Sequence, residues 1–264
     1  MGDPVKIRRA AVAGAFYPQS AGQIRVDVMR YLSEVKTKAG APKAIVAPHA
    51  GFVYSGPVAA SVYARLKNRN HNIERVILLG PSHKVGFYGI AASSAEFYET
   101  PLGQIPIDKK ATEKIVRLPQ VNILDKAHAG EHSLEVHLPF LQILLDEFLL
   151  VPLVVGVTKP VDVSEVLEEL WGGDETLIVI STDLSHFHDY ETAKKMDAKT
   201  CHAVESLRPQ DIKNDDACGR YPVSGFLHLA RAKGLKAETV DLRNSGDTAG
   251  AKNSVVGYGA WAFS

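Results

Sequence analysis

Residues 75–83 read Arg75-Val76-Ile77-Leu78-Leu79-Gly80-Pro81-Ser82-His83. The run Arg75–Leu79 is apolar and about as long as a sheet strand. It stops abruptly at a glycine, a proline and then polar residues, which marks a buried strand delivering a histidine at its carboxyl end. The same figure recurs elsewhere. Ala44–Ala47 runs into Pro48-His49-Ala50-Gly51, and Thr176–Ser181 runs into Thr182-Asp183-Leu184-Ser185-His186-Phe187-His188. Leu150–Val155 is a fourth run of this kind. Ala237–Leu242 and Val255–Phe263 are strand-like as well, and Gly89–Ser94 suits an added antiparallel strand.

Helical periodicity fills the intervals. Ala21–Val35 spaces Ile24, Val28, Tyr31 and Leu32 along one face. Val58–Leu66, Ser133–Phe148, Val163–Leu170, Glu191–Leu207 and Val223–Lys233 behave similarly, with Pro139 kinking the second of these or marking its first turn. Strands alternating with helices give an α/β fold with a largely parallel sheet and helices on both faces. No repeat, low-complexity tract or flexible linker divides the 264 residues, so one domain is expected over 1–264.

Composition narrows the function classes. Thirty Lys and Arg balance thirty Asp and Glu, so no nucleic-acid partner and no polybasic membrane contact is expected. The apolar window Phe140–Val157 is broken by Asp146, Glu147 and Pro152, short of the ~18 residues a bilayer span needs. The N-terminal stretch shows no secretory h-region, and Cys201 and Cys218 are the two cysteines. A cytoplasmic protein with free thiols is therefore expected.

In open α/β sheets, ligands bind outside the carboxyl ends of the strands. His49, His83 and His186 all follow strands and so face one rim, where clustered titratable groups point to chemistry. Cys218 joins them in Asp216-Ala217-Cys218-Gly219-Arg220, just before a helix. A helix N-terminus and an adjacent arginine both favour thiolate, so a depressed pKa is expected there. Cys201, mid-helix beside His202, reads as structural. Glu131-His132-Ser133-Leu134-Glu135-Val136-His137 is not a zincin motif, because histidines five apart sit about 140° round a helix. It supplies either one acid/base group, with His132 the candidate, or a solvated helix start. Phosphate-loop, dinucleotide and nucleophile-elbow signatures are absent from the sequence.

These residues resemble the Memo-like proteins, themselves similar to class III extradiol dioxygenases. The resemblance runs through Ala13-Gly14-Ala15-Phe16-Tyr17, Ala47–Gly51, Gly80–His83, Glu131–Ser133, Ser181–Asp183, His186, Cys218–Arg220 and Ser254–Tyr258. It implies a three-layer α/β/α sandwich and a mononuclear metal site at the strand ends. His49, His83 and Cys218 are the metal positions it implies, with Asp183 and His186 beside them. The dioxygenases use two histidines and a glutamate on iron; here Cys218 stands in place of the glutamate. A thiolate is softer, which leaves Fe(II) the first expectation and makes copper plausible.

The expectation is a metal-dependent oxidoreductase acting on a small molecule, with His186 as general base, Asp183 orienting His186 or another ligand, and His132 as a second acid. Two other readings are open. One is a peptide-binding adaptor using Phe16, Tyr17, Phe52 and Tyr54 beside the cleft. The other is zinc-dependent hydrolysis, with water as the fourth ligand.

Overall fold

The computed structural model describes residues 4–36, 40–68 and 70–264. Its strands are β1 (Ile7–Arg8), β2 (Ala44–Ala47), β3 (Arg75–Pro81), β4 (Ile90–Ala92), β5 (Phe97–Thr100) and β6 (Gly103–Pro106), followed by β7 (Val121–Ile123), β8 (Leu149–Val155), β9 (Thr176–Ser181), β10 (His186–His188), β11 (Ala237–Asn244) and β12 (Val255–Phe263). The principal helices are α1 (Ala21–Glu34), α2 (Phe52–Tyr63), α3 (Lys109–Ile115), α4 (Asp125–Ala129) and α5 (His132–Glu135), then α6 (Leu138–Leu144), α7 (Pro160–Leu170), α8 (Tyr190–Glu205) and α9 (Arg220–Ala232).

Nine strands form the main sheet, in the order β10-β12-β2-β9-β3-β8-β4-β7, with β11 on the other side of β12. Its centre, β2-β9-β3-β8, is parallel, as βαβ crossovers require, and β4 and β12 flank it antiparallel. β2 and β9 are buried along their whole length. That explains why they are continuously apolar rather than alternating. Side chains still alternate between faces: Ile45, Leu78 and Val179 join one core with α1, α2 and α6, whereas Val46, Ile77 and Ile178 join the other with α7 and α9. The result is the expected three layers. Among the described residues no helix is long and apolar enough to cross a membrane.

Local sequence explains the helix positions. Ser20 caps α1, accepting from the Gln23 backbone N–H at 3.5 Å, and Ile24, Val28, Tyr31 and Leu32 are its buried face. α7 and α9 pack so closely that a Cβ on Gly225 would lie 2.3 Å from Val163 Cβ. Three elements differ from the sequence expectation. The helix expected over Ser133–Phe148 is two, because Pro139, in the first turn of α6, has no N–H to continue the ladder, although Val136 and His137 keep helical backbone angles. The helix expected from Val58 begins at Phe52 and carries Pro57 within it, with Gly56 against the Tyr31 ring. A small sheet, β1-β5-β6, covers the outside of the first core and had no distinct sequence signature.

Candidate metal centre

Because β9 lies between β2 and β3, the loops leaving all three open onto one rim. Thr182 N–H donates to Ala47 O at 3.0 Å and Ser82 N–H to Val155 O at 3.2 Å, so the ladder continues one residue past the strands before the chain turns. His49 and His83 then face each other across the end of β9, with ring centroids 5.2 Å apart. The third member comes from the other direction. His132 opens α5, and its ring lies 4.4 Å from His83 and 5.4 Å from His49. One ligating atom from each of the three lies within 4.8 Å of the others. His49 is buried and His132 half-buried, while His83 is more open to solvent.

What holds the rings is as informative as where they are. His49 Nδ1 lies 2.6 Å from Ser181 Oγ, and His83 Nδ1 lies 2.8 Å from Glu131 Oε1. His132 Nδ1 is 3.3 Å from that same Glu131 oxygen. His49 and His83 thus have Nδ1 hydrogen-bonded, and Nε2 of His49 is left on the Cys218 side. This is how imidazole ligands are oriented when a carboxylate or hydroxyl takes the other nitrogen. Glu131 is buried, and it also accepts the backbone N–H groups of His83, His132 and Ser133 at 2.6, 3.0 and 3.0 Å. Burial alone would raise its pKa, but the His83 hydrogen bonds outweigh it and hold the carboxyl at about 2. The imidazoles move the other way. Burial, then the neighbouring His83, keeps His49 well below its ordinary value and puts His132 at about 4. Both are neutral at pH 7, the form that ligates.

Cys218 stands beside this group. Its Sγ lies 3.4 Å from His49 Nε2 and accepts the Asp183 backbone N–H at 3.3 Å. Gly219 permits the close approach, since a Cβ there would sit 2.5 Å from Ser181 O. The distances therefore bring His132, expected as an acid, together with His49 and His83, and set Cys218 against His49. The expected depression of the thiol pKa is overturned: burial, then the Asp183 carboxylate, pushes Cys218 up to about 12. Arg220 gives no help because its guanidinium stacks on Tyr221, 3.9 Å from the ring centroid.

Asp183 acts on His49 rather than on His186. Its Oδ1 accepts the His49 backbone N–H at 2.8 Å, and burial lifts the carboxyl to about 7. His186 keeps its Nδ1 2.7 Å from Leu184 O, which leaves Nε2 available, and burial lowers its pKa. It begins β10, where a bulge against β12 puts the following Phe187 at φ 62° and 78 % exposed. Of the aromatics expected at the cleft, Tyr17 and Phe52 are core residues, Phe16 packs on His132 at 4.6 Å, and Tyr54 is exposed. Cys201 is buried with its Sγ 3.2 Å from Thr239 Oγ1, in the second core.

The floor under α5 is ionic. Arg8 pairs with the buried Glu135 and donates to His128 O at 3.0 Å and Glu131 O at 2.6 Å. Glu135 also accepts from the backbone N–H groups of Ala11 and Val12 and from Tyr17 Oη, at 2.8, 3.0 and 2.7 Å. The sequence alone assigns no role to Glu131, Glu135 or the Ser181 hydroxyl. The readable signal was an acidic N-cap directly before a histidine, Glu131-His132.

A rim of three imidazoles, two of them held by hydrogen bonds at Nδ1, is a donor set that fits a divalent transition metal. Comparison with known proteins agrees in extent with this core. The Memo-like protein family model matches residues 8–262. A MEMO1 family protein of Aquifex aeolicus is 38% identical over 96% of this chain and 98% of its own length. Those of Archaeoglobus fulgidus and Sulfolobus acidocaldarius are 32% and 33% identical, each over at least 96% of both chains. With the match running from β1 to the last residues of β12, the chain belongs to the Memo family.

Proposed function

We propose that this protein is a mononuclear metal-dependent oxidoreductase of dioxygenase-like ancestry acting on a small hydroxylated substrate. The observation that carries the reading is the convergence of one ligating atom each from His49, His83 and His132 to within 4.8 Å, with His49 and His83 held by hydrogen bonds at Nδ1. These three would hold one Fe(II), with Cys218 as a further donor on the His49 side; copper is the alternative that a thiolate favours. When bound, the metal would supply Lewis acidity and a redox couple at the rim.

The chain's own residues divide the remaining work. His186 is neutral and keeps Nε2 free, so it is the general base that takes a proton from a substrate hydroxyl. Asp183 fixes His49 through the backbone, and Glu131 fixes His83 and His132 together. Phe16 shields one side of His132 from water.

The test is oxygen uptake by anaerobically purified, Fe(II)-loaded protein across a panel of small phenols, catechols and hydroxy acids. Uptake that His186→Ala reduces at least tenfold, with metal content unchanged, supports the reading. Substrate-independent or absent uptake refutes it. Because three imidazole nitrogens also suit zinc, hydrolase activity is the second reading. Chelator-sensitive ester or amide hydrolysis without oxygen would select it.

A further inference from the structure

Ser181 sits at the end of β9 with three partners around one hydroxyl. His49 Nδ1 lies at 2.6 Å, His137 Nε2 at 2.9 Å and the carbonyl oxygen of Ser133 at 2.6 Å. A hydroxyl has one proton and two lone pairs. The carbonyl can only accept, so the hydroxyl proton goes to Ser133 O and both ring nitrogens must donate to Ser181 Oγ. His137 then carries its proton on Nε2, which leaves Nδ1 as an acceptor. Tyr63 Oη lies 2.9 Å from that Nδ1 and donates to it. Each ring nitrogen on this path and each hydroxyl proton has a partner in this one arrangement, and all four side chains are buried.

The geometry points to Ser181, His137 and Tyr63 as positioning residues that lock His49 in the Nδ1–H tautomer. The lock is directional: with the proton on Nδ1, the lone pair of Nε2 faces Cys218 and the other two histidines. In the opposite tautomer Nε2 would present a proton to the cluster and could not ligate. The relay also ties the rim to the first core, since Tyr63 stacks on Phe140 at 5.0 Å with an interplanar angle of 8°. It explains the divergence of His132 and His137: one faces the cluster, and the other supports it from behind. Unmade, each of these buried bonds would leave a polar group without a partner.

The inference concerns a ligand of the proposed centre, so its value rests on that reading, but its test does not. Long-range 1H–15N spectra of the metal-free full chain, labelled with 15N-histidine, report tautomers directly near neutral pH. The expected result is His49 protonated at Nδ1 and His137 at Nε2. In Ser181→Ala, His49 is expected to populate both tautomers and Co(II) affinity to fall roughly 10- to 100-fold, as for other residues that orient ligands. Ser181→Thr, which keeps the hydroxyl, restores both. Tyr63→Phe keeps the ring stack, lets His137 populate its Nδ1–H form and so shifts His49 towards a mixture of tautomers, less than Ser181→Ala does. A wild-type His49 protonated at Nε2 overturns the inference, as does Ser181→Ala with unchanged tautomer and Co(II) affinity. Should Ser181→Ala fail to fold, the wild-type and Ser181→Thr spectra decide. Wild-type protein that binds no Co(II) but shows the expected tautomers would refute the metal reading and leave the lock intact.

Discussion

Glu131 Oε1 accepts the Nδ1–H of His83 at 2.8 Å and the backbone N–H of His132 at 3.0 Å, so one buried carboxylate oxygen holds the His83 ring and the start of the helix that carries His132. The same side chain caps α5 and receives the His83 backbone, which couples the β3 loop to the helix carrying His132.

Glu131→Gln should therefore damage two properties at once. The amide NH2 would face donors that now meet an anionic oxygen, and the expected loss of stability is about 1–3 kcal/mol. Metal affinity should fall roughly 10- to 100-fold. Urea melts and Co(II) titration of the variant measure both; affinity unchanged within twofold would contradict the orienting role.

Acid should destabilise the fold through its buried histidines, above the range in which ordinary carboxylates protonate. His128 and His132 are held at about 4 and His137 at about 3, chiefly by burial, against 6.5 when exposed. Below pH 6.5 the unfolded chain binds protons that the folded chain refuses, so stability falls as pH falls from 6.5 towards 4. Asp183, lifted to about 7, and Asp197, also raised, carry the opposite sign over part of this window. The histidines outnumber them, because His49 and His186 are lowered too. A net slope of at least about 1.4 kcal/mol per pH unit is expected between pH 6 and pH 5, equal to roughly one proton. Urea unfolding at several pH values tests this, and a flat profile over that interval would refute it.

The Cys218 thiol, at about 12, is expected to stay protonated in metal-free protein. Alkylation by iodoacetamide at mildly alkaline pH should run at least tenfold slower than for free cysteine, since the thiolate is the nucleophile. A cation held against it reverses this, because a coordinating thiol loses its proton. Co(II)-loaded protein should then show a thiolate-to-metal charge-transfer band that Cys218→Ser abolishes. Its absence would restrict the donors to the histidines.

Arg8→Ala removes the partner of a fully buried carboxylate and two carbonyl contacts beneath α5. Breaking a buried pair from one side costs about 3–5 kcal/mol. Thermal melts should show that loss, and limited proteolysis should cut the segment after Ile7 faster than in wild type. A change below about 1 kcal/mol would contradict the structural role assigned to the pair.

Much of the framework was legible in the chain because central parallel strands are buried on both faces and so read as uninterrupted apolar runs. Ala44–Ala47 and Thr176–Ser181 coincide with β2 and β9, and the antiparallel β12 coincides with Val255–Phe263. Histidines following such strands are equally visible, which is how His49, His83 and His186 were placed. The small sheet was not legible, since β1 has two residues and β6 is largely exposed. Nor was the grouping of His132 with His49 and His83. It depends on the tertiary bonds from Glu131 across to the β3 loop, which place the start of α5 beside His83. The environment of Cys218 inverted a local expectation: proximity to a helix start mattered less than burial, and its neighbouring arginine turned away to a tyrosine.

The central claim is that His49, His83 and His132 hold one metal ion. Elemental analysis of protein purified without oxygen, beside His49→Ala and His83→Ala, tests it most directly. The account predicts about one metal ion per wild-type chain, iron foremost, and less than a tenth of that in either variant, on the reasoning that a three-nitrogen site does not survive loss of a ligand. Wild-type protein that carries no metal and takes up none on loading, or variants that retain full metal content, would contradict it.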